Sequence, residues 1–455
     1  MSLVRLWRFD ASPLTVINAS PDSLPNQGHA APGSSGRLNF ELPLDYQIAL
    51  DGQVPLDCQV LVVGAGPSGS RLAAALARAG LDVVLIDRLS DLRSAAFSSA
   101  ALPMAAVRRF GLPERLVASL WSGWQLVGPD DRQRQWQADQ PQGAVLDFGA
   151  LRQWLAGEAS CAGVRLLLGW RAQGCQSGGP SRLQTSLLGP GGQRRSLTSG
   201  WVVDASGESR SLLGKPPGNS LVSGVGVEWL LQVSDAQWHS WSDRLSFFLG
   251  SSWVQQGYGW IFPMAPGQLK LGVCRLLDPG RRQPALAAEL QQLLARTELS
   301  GAEVLDRHGG RISSTINREE PHSRGRLLGL GDAVSTANLL GGEGIRHALL
   351  AAELLAPLLI EAVHLEAAGQ GRRAARLLRR YPIQLRRALG WRWNLSGRLA
   401  RRTWLSLADQ RSDRRLQLLL KGLEQCRAED LSALLFDYRF ERYGFKALPY
   451  LFGWR

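Results

Sequence analysis

The chain has 455 residues, 45% of them hydrophobic, and a formal net charge of +13. At roughly 100–200 residues per domain, that length implies two or three structural units of ordinary globular composition. The excess charge sits almost wholly between Gly371 and Arg415, where fourteen Arg face only Asp409 and Asp413, which argues against a nucleic-acid-binding face on the main body.

Residues 1–53 are rich in Pro, Ser, Gly and Asn and show no sustained period, so a flexible leader is expected. Arg5, Arg8 and Asp10 are scattered where a signal peptide would carry its apolar core. Five Cys lie far apart without C-x-x-C spacing, and the six His form no metal-ligand pattern. Buried thiols in a reducing cytoplasm are therefore expected, and no metal site.

A strand over Cys58–Val63, a helix over Ser68–Ala79 and a second strand over Asp82–Ile86 form one βαβ unit. Between them lies Gly64-x-Gly66-x-x-Gly69, which follows a strand and opens a helix. In that context Gly64 permits the tight turn, Gly66 lets the backbone approach a pyrophosphate, and Gly69 lets the helix pack on the strand. The phosphates then meet the positive end of the helix dipole. Asp87 closes the second strand, with Arg88 beside it, where a carboxylate can accept from ribose hydroxyls.

Gly and Ser punctuate short polar strands from Gln173 to Leu197, and Trp201–Val203 reads as a short apolar strand ending at Asp204. From Val222 to Leu277 apolar and polar residues alternate around a turn at Met264–Gln268, the pattern of an antiparallel sheet. Leu327–Leu330 reads as a buried strand, and Gly331-Asp332 follows it. Gly342 and Gly344 then open a long apolar helix at Ile345. Ala348–Val363 is interrupted by Glu353, Pro357 and Glu361, so it reads as a buried helix and not as a membrane span. The order of the two glycine motifs points to one dinucleotide held at both ends, FAD. Asp332 can bind a ribityl hydroxyl, and the helix dipole can face the flavin edge where reduction places negative charge.

These features resemble the flavoproteins of aromatic-hydroxylase type and, within them, the geranylgeranyl reductase family. The resemblance covers roughly residues 57–440 and is carried most specifically by Tyr258-Gly-Trp260-Ile-Phe262-Pro263 and Gly342-Glu343-Gly344-Ile345. It implies a substrate wall of Tyr258, Trp260, Phe262 and Pro263. Strand alternation independently puts the three aromatic rings on one face, turned to a substrate and away from the core. The resemblance also implies that Asp204, in the middle motif, binds the cofactor, and the chain departs from the family at Ser206 of that motif, at Leu339, and in having no Cys between Cys58 and Cys161. No thiol donor is therefore available after the second strand, and Ser98 and Ser99 are the nearest polar replacements. The sequence names no catalytic residue.

The expected architecture is α/β. A Rossmann-type FAD-binding domain is formed by 54–220 and 300–365, an antiparallel-sheet substrate domain by 221–299, and a basic helical C-terminal region by 366–455. The resemblance implies an FAD-dependent oxidoreductase that reduces carbon–carbon double bonds of a hydrophobic isoprenoid, with NAD(P)H or a reduced electron carrier as reductant. A flavin monooxygenase and a non-redox cyclase of lycopene-cyclase type remain as alternatives. In 371–415, Leu377, Leu378, Leu385, Leu389, Trp393, Leu399 and Trp404 interleave with Arg. That pattern is expected of a helix on an anionic membrane surface, of a clasp for a pyrophosphate head group, or of a solvated capping face. A cytoplasmic protein with peripheral membrane contact follows.

Overall fold

The computed structural model describes residues 56–94, 97–216, 221–316 and 320–443. The leader 1–53 and the last residues of the C-terminal region lie outside them. The first half contains β1 (Leu56–Val63), α1 (Pro67–Arg78), β2 (Val83–Asp87), β3 (Ala101–Pro103), α2 (Met104–Arg109), β4 (Val117–Trp121), β5 (Gly123–Val127), β6 (Gln133–Gln137) and β7 (Gly143–Leu146). There follow α3 (Phe148–Cys161), β8 (Arg165–Leu168), β9 (Arg171–Ser177), β10 (Leu183–Leu188) and β11 (Arg194–Asp204). The second half contains β12 (Leu221–Gln232), α4 (Asp235–Trp241), β13 (Arg244–Leu249), β14 (Gly257–Pro263), β15 (Gln268–Leu276), α5 (Leu286–Arg296), β16 (Glu303–Thr315), β17 (Ser323–Arg324) and β18 (Leu327–Gly329). Five helices follow among the described residues: α6 (Ile345–Ala367), α7 (Gly371–Leu378), α8 (Arg380–Ser406), α9 (Gln410–Leu423) and α10 (Ala428–Leu435).

The first sheet runs β17-β18-β11-β1-β2-β8, with β10 and β9 attached to β11. β18, β11, β1, β2 and β8 are parallel neighbours. Helices cover a parallel sheet on both faces, so its central strands are apolar without alternation. Val60–Val62 and Val83–Ile86 are accordingly fully buried. α1 packs between α6 and α3. Pro67 occupies the first turn of α1, where its missing N–H is one that no helix would satisfy.

The second sheet runs β16-β12-β15-β14-β13-β5-β6. It is not confined to 221–299, because β5 and β6 enter from 123–137 and β16 from 303–315. It is also not wholly antiparallel, since β13 pairs with β5 in parallel. Local alternation reveals a strand but not its distant neighbour, and these joins connect segments far apart in sequence. On β14 the alternation divides two cores. Ile261 faces Leu290 and Leu293 of α5, whereas Tyr258, Trp260 and Phe262 face Trp124, Leu245 and the C-terminal helices.

The C-terminal helices join both sheets. Ala374, Leu377, Leu378, Tyr381 and Leu385 complete the core of the first sheet, and Leu416, Leu420 and Leu431 complete the aromatic one. The apolar residues that interleave with Arg are thus turned inward: Leu385 is fully buried and Trp393 is 3% exposed. Gly390, at φ 77°, kinks α8. α6 alone among the described residues is long and apolar enough to span a membrane, and Leu349, Ala351, Leu355 and Leu359 bury it in the core.

Candidate functional site

The three glycines of the first motif do different physical work. Gly64 has φ +110°, and a Cβ there would lie 2.4 Å from the Ala205 carbonyl oxygen. A Cβ on Gly69 would lie 2.0 Å from the Gly64 carbonyl oxygen, so Gly69 is required by helix–strand contact. A Cβ on Gly66 meets nothing within 4 Å. Gly66 also opens α1 without a side-chain cap, and the first turn carries no acidic residue. Free N–H groups, a helix dipole and open space coincide, which is the arrangement a pyrophosphate requires.

Asp87 accepts from the backbone N–H of Ala65 at 2.8 Å and of Leu89 at 2.9 Å. It thereby shapes the turn while leaving lone pairs for a ribose. The buried Arg152 guanidinium lies 3.8 Å from the same carboxylate. Burial pushes its pKa down, and the Asp87 charge opposes that shift. Arg88 is exposed at the end of the strand. Asp204 is placed differently from the sequence expectation. Its buried carboxylate accepts from Ser206 N and Oγ, at 3.1 and 2.5 Å, and from the N–H groups of Leu212 and Leu213, at 2.8 and 2.7 Å. About four acceptor sites meet four donors, so Asp204 organises the 204–213 loop and has none left for a cofactor.

The second glycine motif meets the first in space. Gly331 has φ +65°, and a Cβ there would lie 2.5 Å from the Ser68 hydroxyl in the first turn of α1. Asp332 is held by the Thr336 hydroxyl at 2.8 Å, and burial raises its pKa despite that hydrogen bond. Gly344 opens α6 without a side-chain cap. A cavity of about 280 Å³ joins Pro67, Asp332 and Gly341–Ile345 to Tyr258, Trp260 and Phe262. Trp404 of α8 and Phe436 after α10 close it, so the C-terminal region completes the site.

The aromatic wall both lines this cavity and belongs to the core. Trp260 is 5% exposed, and its ring lies over Gly272, where a Cβ would come within 2.2 Å. Its indole N–H donates to Glu228 at 2.9 Å. Glu228 is fully buried and also receives His308 Nε2 at 3.0 Å, with Lys270 Nζ at 3.9 Å. Lys270 in turn donates to the Ser98 carbonyl at 2.7 Å and fixes the segment carrying Ser98 and Ser99, both on the cavity wall. Burial lowers the Lys270 pKa against the Glu228 charge. Burial would also lower that of His308, but hydrogen bonds and charge from Glu228 and Asp306 outweigh it and raise the value. Pro263 ends the strand beyond the wall, and its carbonyl accepts from Ser119 at 2.8 Å.

Sequence reasoning missed Arg152, Glu228, Lys270, Cys274 and His308. For Cys274 a signal existed. A hairpin centred on Pro266 pairs position 258 with 274 and 262 with 270, which is the observed register. Glu228 and His308 meet across a β12–β16 pairing that no local pattern announces.

The fold and the joined motifs define an FAD-dependent oxidoreductase, and residues 57–118 match the FAD binding domain family. In sequence the chain is similar to several reductases of that class. The chain is 25% identical to digeranylgeranylglycerophospholipid reductase of Haloferax volcanii, over 63% of this chain and 72% of that protein. It is 29% identical to menaquinone reductase of Mycobacterium tuberculosis, over 65% and 76%. It is 23% identical to the chloroplastic geranylgeranyl diphosphate reductase of Oryza sativa, over 66% of each. In structure it is similar to a geranylgeranyl bacteriochlorophyll reductase-like protein of Thermoplasma acidophilum (TM-score 0.70, 18% identity, 87% of this chain and 100% of that one). It also resembles p-nitrophenol 4-monooxygenase of Pseudomonas putida (TM-score 0.63, 19% identity, 84% and 98%), a likeness of fold.

Proposed function

We propose that this flavoprotein reduces carbon–carbon double bonds in a hydrophobic isoprenoid. The observation that carries the reading is one cavity lined by Pro67 of the first glycine motif, by Asp332 and Gly341–Ile345, and by the aromatic wall. Gly64, Gly66 and Gly69 would seat the pyrophosphate, Asp87 the adenosine ribose, and Gly331-Asp332 with Gly342, Gly344 and Ile345 the flavin end. When bound, FAD supplies the hydride of the reaction. The chain's own residues orient the alkene and exclude water. Tyr258, Trp260 and Phe262 offer flat apolar faces, and Phe247 and Trp404 flank Tyr258 at ring-centroid distances of 5.7 and 5.0 Å. The reductant for the cofactor is NAD(P)H or a reduced electron carrier. The exposed arginines of 371–415 give peripheral contact with an anionic membrane. The test is anaerobic incubation of reduced protein with polyprenyl compounds, followed by product mass. A gain of two hydrogens supports the reading. A gain of oxygen, seen only in air, replaces it with a monooxygenase, and isomerisation without mass change replaces it with a cyclase.

A further inference from the structure

Addition of hydrogen across a double bond needs a proton as well as a hydride, and the segment after β2 that carries Ser98 and Ser99 offers no thiol. We infer that the Tyr258 hydroxyl, backed by the Cys274 thiol, is the proton donor of the site. The inference rests on the reductase reading. The two residues face each other across the β14–β15 register, project from the same face, and both line the cavity. The Cys274 thiol is the polar neighbour of the Tyr258 hydroxyl. That hydroxyl lies 3.8 Å from where a Cβ on Gly342 would sit, at the end of the wall nearest the flavin-side glycines.

Apart from Ser99, the other polar side chains on the cavity wall have commitments. Trp260 donates to Glu228, and Trp404 to the carbonyls of Leu339 and Leu340. Arg275 is paired with Glu289 and Arg311 with Glu208. Glu343 accepts from Arg346 and from Tyr438, and Asp332 from Thr336. Ser98 Oγ accepts from the Ala100 N–H, and a serine hydroxyl is a far weaker acid than a phenol. Burial pushes Tyr258 well above its ordinary pKa and Cys274 up to about 12, so both carry their protons at neutral pH.

The alkene π pair bonds the Tyr258 proton at one carbon, and the O–H electron pair stays on the phenolate. The other carbon receives the hydride, with its two electrons, from the reduced cofactor. The phenolate regains a proton from the Cys274 thiol, and the thiolate from water. Cys274 is thus a positioning and reloading residue, and Tyr258 the group that touches substrate.

The experiment uses FAD-loaded full chain, kept reduced anaerobically by excess dithionite, with geranylgeranyl diphosphate in steady-state turnover. Tyr258→Phe keeps the ring and is expected to slow double-bond reduction by about 10²–10⁴-fold, the usual range for a lost general acid. Its KM and FAD content should stay unchanged. Cys274→Ala should slow turnover less, with kcat and not KM affected. Labelling of Cys274 in unreduced protein by p-hydroxymercuribenzoate, which captures thiols that keep their proton, mapped by peptide mass, should be suppressed by geranylgeraniol. Wild-type turnover with undiminished rate in Tyr258→Phe overturns the proton assignment and leaves the reductase reading intact. Labelling of Cys274 indifferent to geranylgeraniol overturns the placement. Wild type that reduces nothing removes the reductase reading, and the donor assignment with it.

Discussion

Gly66→Val separates cofactor binding from folding. The Gly66 backbone, at φ −78° and ψ −178°, is extended and open to any residue. A Cβ there meets no protein atom within 4 Å, so the side chain fits the cofactor-free chain. It occupies the space a pyrophosphate would need. If it displaces the phosphates from two N–H groups, each charge-assisted hydrogen bond forfeits about 1.5–3 kcal/mol. The sum is about 3–6 kcal/mol, or about 10²–10⁴-fold in Kd. The assay is flavin-fluorescence titration of deflavinated protein, with circular dichroism to verify the fold. Gly69→Ala is the contrasting control, because its Cβ would strike the Gly64 carbonyl at 2.0 Å and should damage folding itself. A folded Gly66→Val protein that binds FAD with wild-type affinity would refute the placement of the pyrophosphate.

Trp260→Ala should lower stability by about 3–5 kcal/mol in chemical denaturation, because it removes a buried indole and leaves the Glu228 carboxylate short of a donor; a loss under about 1 kcal/mol would show an open wall and not a core position. His308 has a raised folded pKa, so its contribution is full below the unfolded value of about 6.5 and is lost as pH climbs through the folded one. The wild-type melting temperature should therefore decline over that window, and His308→Gln should flatten the decline; parallel curves would contradict the Glu228 pairing. For 371–415, co-sedimentation with anionic vesicles should fall when Arg386, Arg387, Arg401 and Arg402 are changed to Gln, since each Arg near an anionic surface contributes about 1 kcal/mol. Trp393 and Trp404 face inward, leaving Trp391 and Ile383, 64% and 54% exposed, as apolar anchors. Binding should thus be largely released at 1 M salt, where screening acts over about 3 Å; equal pelleting with neutral vesicles would dismiss an electrostatic contact.

The first βαβ unit was legible because its signals are local. Apolar runs bury a parallel strand on both faces, and the spacing of Gly64, Gly66 and Gly69 sets turn, approach and packing within a few residues. The same holds for the β14 wall and the start of α6. The sequence could not assign distant partners. Asp204 reads as a cofactor ligand in its motif, yet the backbone of Leu212 and Leu213 claims its carboxylate. The interleaved apolar and Arg residues of α7 and α8 fit a membrane face equally well until the core takes Leu385 and Trp393. Strands 123–137 and 303–315 enter the second sheet through hydrogen bonds between remote segments. Sequence by itself therefore determined the cofactor motif and its class, because those depend on short-range geometry. Tertiary structure decided which side chains share the cavity, because burial and pairing are settled only when distant chain segments compete for the same space.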